Sequence, residues 1–139
     1  MIAAAFLTSA MTVDKSLKIG DKAPKIETIE GINVVNDANS AGKTKVISFW
    51  NPKDPSSRIM NKNLSREYEE TNGDKVDFIS ICTDNDEKLM QSVMQIDGVD
   101  SRNSYSYSEV SPRVFKDYGV ENQTKAFVIS PEGKIEKMI

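Results

Sequence analysis

The stretch Val46-Ile47-Ser48-Phe49-Trp50-Asn51-Pro52-Lys53-Asp54-Pro55-Ser56-Ser57-Arg58 decides the fold. Val46 to Trp50 is a short β-branched and aromatic run bounded by Lys45 and by Asn51-Pro52, which suits a strand buried on both faces. Asp54-Pro55 reads as a helix start: an Asp at the N-cap accepts backbone N–H bonds, and Pro at the first helical position gives up no needed donor. Ile59, Met60, Leu64 and Tyr68 recur at helical spacing and predict the inward face, with the helix ending near Asn72-Gly73. Asp54 is then an anion at a helix N-terminus, where the partial positive charge favours it. A strand that enters a tight turn and then a helix carries its turn residues to the mouth of the fold.

Composition narrows the chemistry. At 139 residues and 38% hydrophobic the chain suits one domain with a single core. Its formal charge of −3, with Lys and Arg scattered among acids, gives no footprint for nucleic acid. There is no histidine and one cysteine, Cys82, so Ser-His-Asp and Cys-His mechanisms, His-ligated zinc and an internal disulfide are excluded for a monomer. Carboxylates, lysines, hydroxyls and backbone remain, and no cofactor or metal is expected. Ile2 to Met11 is an apolar run too short to span a bilayer, ending in the small residues Thr8-Ser9-Ala10. Residues 1–16 therefore read as the remnant of a secretory signal or as an N-terminal cap, and residues 17–139 as the domain. The first reading places the protein outside the cytoplasm, in the periplasm; the second leaves it cytoplasmic.

Past the opening stretch, Ile26–Ile29 and Ile32–Val35 predict two short strands around Glu30-Gly31, and Asn36 to Thr44 a polar connection. Val76 to Thr83 is a second apolar strand and contains Cys82. Asp84 with Glu87 has capping-box spacing and opens a helix whose Leu89, Val93, Met94 and Ile96 face the sheet, ending at Asp97-Gly98. The acids of this opening lack the Gly and Glu positions of a calcium loop, so capping is the better reading. Ser101 to Ser108 is a polar loop or short strand; its Tyr105 and Tyr107 either join Trp50 in a binding surface or cover a sheet edge. Ser111-Pro112 starts a further helix closed by Gly119, and Ala126–Ile129, Ser130-Pro131-Glu132-Gly133 and Lys134–Ile139 form a final hairpin.

The opening stretch resembles the active-site segment of thioredoxin-like proteins, above all the periplasmic thiol-disulfide oxidoreductases with the pattern Phe-Trp-Ala-x-Trp-Cys-x-x-Cys-Arg. Aligned on Phe49-Trp50 and Arg58, the two cysteines of the pattern fall on Asp54 and Ser57, and neither can exchange disulfides. Gly20-Asp21-Lys22-Ala23-Pro24 looks like the opening signature of the peroxiredoxin (AhpC/TSA-like) and thiol-oxidoreductase branch. Phe127-Val128-Ile129 with Gly133-Lys134-Ile135 looks like the family's closing hairpin. Together these matches cover residues 17 to 139. They imply an α/β thioredoxin-like sandwich with a mixed central sheet flanked by helices.

The same resemblance places a cis-proline three residues before the hairpin Phe, where this chain has Thr124 after Gln123, so a trans bond is expected there. It also implies a C-terminal helix that is absent after Ile139, leaving a sheet face short of cover and open to a partner or a homodimer. The expected function is a redox-inactive binding or accessory module for a protein or peptide. Its surface would be the former active-site rim: Trp50, Asn51, Asp54, Pro55 and Ser57 with Gln123 and Thr124. The bland counterpart is that Asp54 and Ser57 merely cap a helix. From the enzyme class, the alternative is a thiol-disulfide oxidoreductase or peroxidase working through Cys82, which mid-strand reads more simply as a small core residue.

Overall fold

The computed structural model describes residues 16–35, 42–71 and 74–139. All but Ser16 of the expected signal or cap at residues 1–16, much of the connection after Val35 and the helix stop at Asn72-Gly73 lie outside these residues. Among the described residues five strands and three α-helices follow one another as β1 (Thr44–Trp50), α1 (Pro55–Thr71), β2 (Val76–Cys82), α2 (Glu87–Asp97), β3 (Ser104–Tyr105), α3 (Arg113–Asp117), β4 (Lys125–Ile129) and β5 (Ile135–Met138). The sheet order is β3-β2-β1-β4-β5. β1 and β2 run parallel, as do β2 and β3, while β4 is antiparallel to both β1 and β5. This is the mixed sheet expected of a thioredoxin-like sandwich.

Period-two alternation assigns the faces. Val46, Phe78, Ala126 and Val128 pack with Leu64 of α1. Further along the same face, Trp50 and Cys82 pack with Met90, Val93 and Met94 of α2. The opposite face carries Ile47, Phe49, Ile79, Ile81, Phe127 and Ile129. It is closed by Ala23, Ile26, Val34 and Val35 of the entry segment and by Val110, Val114, Phe115 and Tyr118 around α3. Phe49, Tyr118 and Phe127 form a tilted and edge-to-face triplet with centroids 5.1–6.0 Å apart, the geometry ring quadrupoles favour. The Tyr118 hydroxyl donates to the Pro24 carbonyl at 2.6 Å, which pins the entry segment to the core.

Several expectations are corrected. Residues 26–35 do not form strands; they fold into an irregular hairpin held by isolated Glu27–Asn33 and Thr28–Val110 bridges and a Val34 N–H to Ile26 carbonyl bond of 3.0 Å, while Ile26, Val34 and Val35 cover the sheet. The helix after β2 is capped two residues late, by Asp86, whose carboxylate accepts from the Leu89 N–H at 3.1 Å, while Asp84 accepts from the Asp86 N–H. Ile59 and Ile96, expected inward, are 59% and 73% exposed, and Met90 takes the inward place in α2. Tyr107 stacks on Phe115 at 4.7 Å rather than joining Trp50. The sheet is not short of cover beside β5 either: Ala126 and Val128 are buried, and the β5 residues Glu136 and Lys137 are charged and exposed.

Candidate functional site

The end of β1 leads into a tightly stitched turn. Asn51 organises it: its side-chain Oδ1 accepts from the Lys53 N–H at 2.8 Å and its carbonyl accepts from the Asp54 N–H at 3.0 Å. Asn before Pro favours this local turn chemistry. Asp54 caps α1 as expected, its Oδ1 accepting from the Ser56 N–H at 3.2 Å and its carbonyl from the Arg58 N–H. Ser57 is 2% exposed and faces back into the turn. Its hydroxyl accepts from the Asn51 N–H at 2.9 Å and lies within donating distance of the Asn51 and Asp54 carbonyls.

Neighbouring elements hold this turn in place. The Trp50 carbonyl accepts from the Thr83 N–H at 2.8 Å, tying the exits of β1 and β2 together. Lys53 reaches Asp84 at 3.3 Å across the same gap. Arg58 makes a two-pronged ion pair with Asp97 at the end of α2, at 2.8 and 2.9 Å. The hydrogen bonds from Arg58 hold the Asp97 carboxyl below its usual range, and Asp97 in turn raises the guanidinium. Sequence reasoning missed both ion pairs, whose partners are distant in the chain.

The candidate residues divide by depth. Trp50 is 1% exposed and belongs to the floor rather than the rim, and Ser57 lies beneath the surface with it. Asn51 and Asp54 are half-buried and Pro55 is exposed. The β1–β4 register pairs Phe49 with Lys125, which sets the preceding Thr124 beside the strand end where Trp50 enters the turn. Gln123 and Thr124 thus border the turn, and all described peptide bonds, including theirs, are trans. Gln123 lines a concavity of about 330 Å³ with Lys116, Tyr118 and Lys125. Neither this concavity nor a larger groove of about 600 Å³ that follows α2 past Met90 and Met94 takes a residue from the turn.

Cys82 ends β2 beside Trp50, fully buried and without a disulfide. Its S–H donates to the Asp84 carbonyl at 3.3 Å, and burial pushes the thiol up to about 11. Reactive cysteines are instead exposed and electropositive. Among the described residues no group of acids, Cys or His is placed to hold a metal ion. No described helix is long and apolar enough to cross a membrane.

A mixed sheet whose first strand runs through a capped turn into a helix defines a thioredoxin-like protein. Residues 19–138 match the model of the AhpC/TSA family, and the chain belongs to that family. Among solved structures it is similar to a thioredoxin-like protein from Parabacteroides distasonis, with 27% identity over 88% of both chains and a TM-score of 0.74. It also resembles the thioredoxin domain of a thiol-disulfide oxidoreductase from Bacteroides vulgatus (20% identity, 88% of this chain and 89% of that one, TM-score 0.68). A thiol:disulfide interchange protein from a Bacteroides species is similar at 19% identity, over 88% of this chain and 81% of that one, with a TM-score of 0.68. None of the curated proteins matches this chain.

Proposed function

We propose that this chain is a redox-inactive member of its family that works as a binding or accessory module for an extended peptide or protein. The observation that carries the reading is the pairing of Asp54 and Ser57 at the turn with a lone Cys82 that is fully buried. A carboxylate and a hydroxyl keep the polar character of the helix start while offering no sulfur nucleophile. The ligand surface is the rim of Asn51, Asp54, Pro55, Gln123 and Thr124, over a floor of Trp50 and Ser57. The apolar run at Ile2–Met11 and the thiol-disulfide character of similar proteins support a role outside the cytoplasm.

Insulin reduction and peroxide consumption test the first half of this reading. The intact protein is expected to support neither, and turnover that disappears in Cys82→Ser would restore the thiol-enzyme alternative. The second half is tested by capture of ligands from a cell extract. Binding that survives Cys82→Ser but is lost in Asp54→Arg with Gln123→Ala supports the rim, whereas capture indifferent to those two changes moves the ligand elsewhere.

A further inference from the structure

Polar atoms with no protein partner are gathered on the helix-facing side of the sheet. The side-chain oxygens Ser48 Oγ, Ser80 Oγ and Asn61 Oδ1 and the indole nitrogen of Trp50 are all buried and without a hydrogen bond to the protein. Ser48 and Ser80 are 0% exposed, and Asn61 and Trp50 are 1% exposed. Buried polar groups in folded proteins are overwhelmingly hydrogen-bonded, so this concentration of orphans calls for a physical cause.

The register brings them together. Ser48 pairs directly with Ser80 across the parallel β1–β2 ladder, so both side chains leave the sheet on one face at strand spacing, about 4.8 Å. Two residues before them on that face stand Val46 and Phe78, and two residues after stand Trp50 and Cys82. Val46 and Phe78 belong to the apolar cluster under Leu64, and Trp50 and Cys82 to the one under Met90. The serines therefore form a polar seam between two apolar clusters. Along α1, Ser57 touches the turn next to Trp50, and Leu64 sits over Val46 and Phe78. Asn61 lies between them. Seven residues of helix rise about 10 Å, and the four steps from Val46 to Trp50 advance about 13 Å, so Asn61 falls level with the serine pair.

We infer that this seam is an internal hydration site, in which one or two ordered waters bridge Ser48, Ser80 and Asn61 directly behind the turn. The donor and acceptor chemistry matches. The Asn61 Oδ1 only accepts, the Trp50 N–H only donates, and each hydroxyl does both. A water molecule offers two donors and two acceptors, so one molecule can serve three or four such groups. Folded proteins hold about one buried water per 27 residues, so such a site is an ordinary component of a domain of this size. The site anchors the first half of α1 through water-mediated bonds where its two flanks rest on apolar contacts.

The sign of a stability change tests this. If the seam is hydrated, Ser48→Ala removes a water ligand and lowers the unfolding midpoint. If it is dry, the same substitution deletes an unsatisfied hydroxyl and raises the midpoint. Ser80→Ala should behave like Ser48→Ala, and the double variant should lose less than the sum, because both act on one shared site. Direct evidence comes from the unmodified protein, so it does not depend on a variant folding. Water–amide nuclear Overhauser effects are expected at the Asn61 side-chain amide and at the Ser48 and Ser80 backbone amides. Midpoints that rise in both serine variants, or no water contact at any of the three residues, would overturn the inference.

Discussion

Replacing Ser57 by alanine tests whether the turn is held by the hydroxyl that stands at its centre. The oxygen accepts from the Asn51 N–H at 2.9 Å and donates to one of two carbonyls, at 2.9 or 3.1 Å. Each such bond contributes about 1 kcal/mol net, so losing both costs about 2 kcal/mol. Asn51 is half-buried, so water reaches part of the freed N–H, which keeps the cost below the full penalty for a buried orphan. A domain of this length unfolds with an entropy of about 0.25 kcal/mol/K, so the melting temperature should fall by about 8 °C. Thermal unfolding by circular dichroism measures it, with Ser57→Cys as a control. The thiol fills the same place with weaker bonds and should fall between wild type and Ser57→Ala. A Ser57→Ala midpoint within about 2 °C of wild type, equivalent to about 0.5 kcal/mol, would refute the view that this hydroxyl stitches the turn.

Two further outcomes follow from groups around the turn. Cys82, raised from 9.0 to about 11, carries about a hundredfold less thiolate at neutral pH than an unperturbed thiol. It should resist an aromatic disulfide reagent until the protein unfolds, and its contribution to stability should be lost as pH rises from 9 towards 11; stoichiometric labelling of folded protein within minutes would contradict this. Asp97, held below its usual range by Arg58, contributes stability above its unfolded value of about 3.9, and that contribution is lost as pH falls through the lower, folded value. The stability gap between wild type and Asp97→Asn in urea titrations should therefore be widest near neutrality and close in acid. A gap unchanged from pH 7 to 3 would show that the ion pair does not act through charge.

Much of the fold was legible because local signals agreed with one another. The run from Val46 to Trp50 is a strand, Asp54 caps the helix it was expected to cap, and the closing hairpin lies over Lys125–Met138. The misreadings came where a residue's role is set by distant partners. Ile26, Val34 and Val35 have the composition of strands, yet their side chains close over the sheet face and the backbone there makes only isolated bridges instead of a ladder. Helical spacing alone left the inward face of α2 ambiguous, and packing against Trp50 and Cys82 selected Met90 over Ile96. Two aspartates stood within reach of that helix start, and only geometry distinguished Asp86 from Asp84.

At the site, the type of each residue was legible and its depth was not. A tryptophan ending a strand looks the same in sequence whether it forms rim or floor, and here it is floor. The ties from Lys53 to Asp84 and from Arg58 to Asp97 span 31 and 39 positions, and nothing local announces either.

The central claim is that the turn from Asn51 to Ser57 is a thiol site with its sulfurs replaced. Asp54 and Ser57 flank the first turn of α1, three positions apart, where side chains sit about 5–6 Å apart at Cβ in a regular helix and closer when a disulfide forms. In a Cys82→Ser background, Asp54→Cys with Ser57→Cys should close into a disulfide under mild oxidant, seen by mass spectrometry as the loss of two hydrogens and of both alkylatable thiols. A folded variant that keeps both thiols free under the same oxidant would contradict the account.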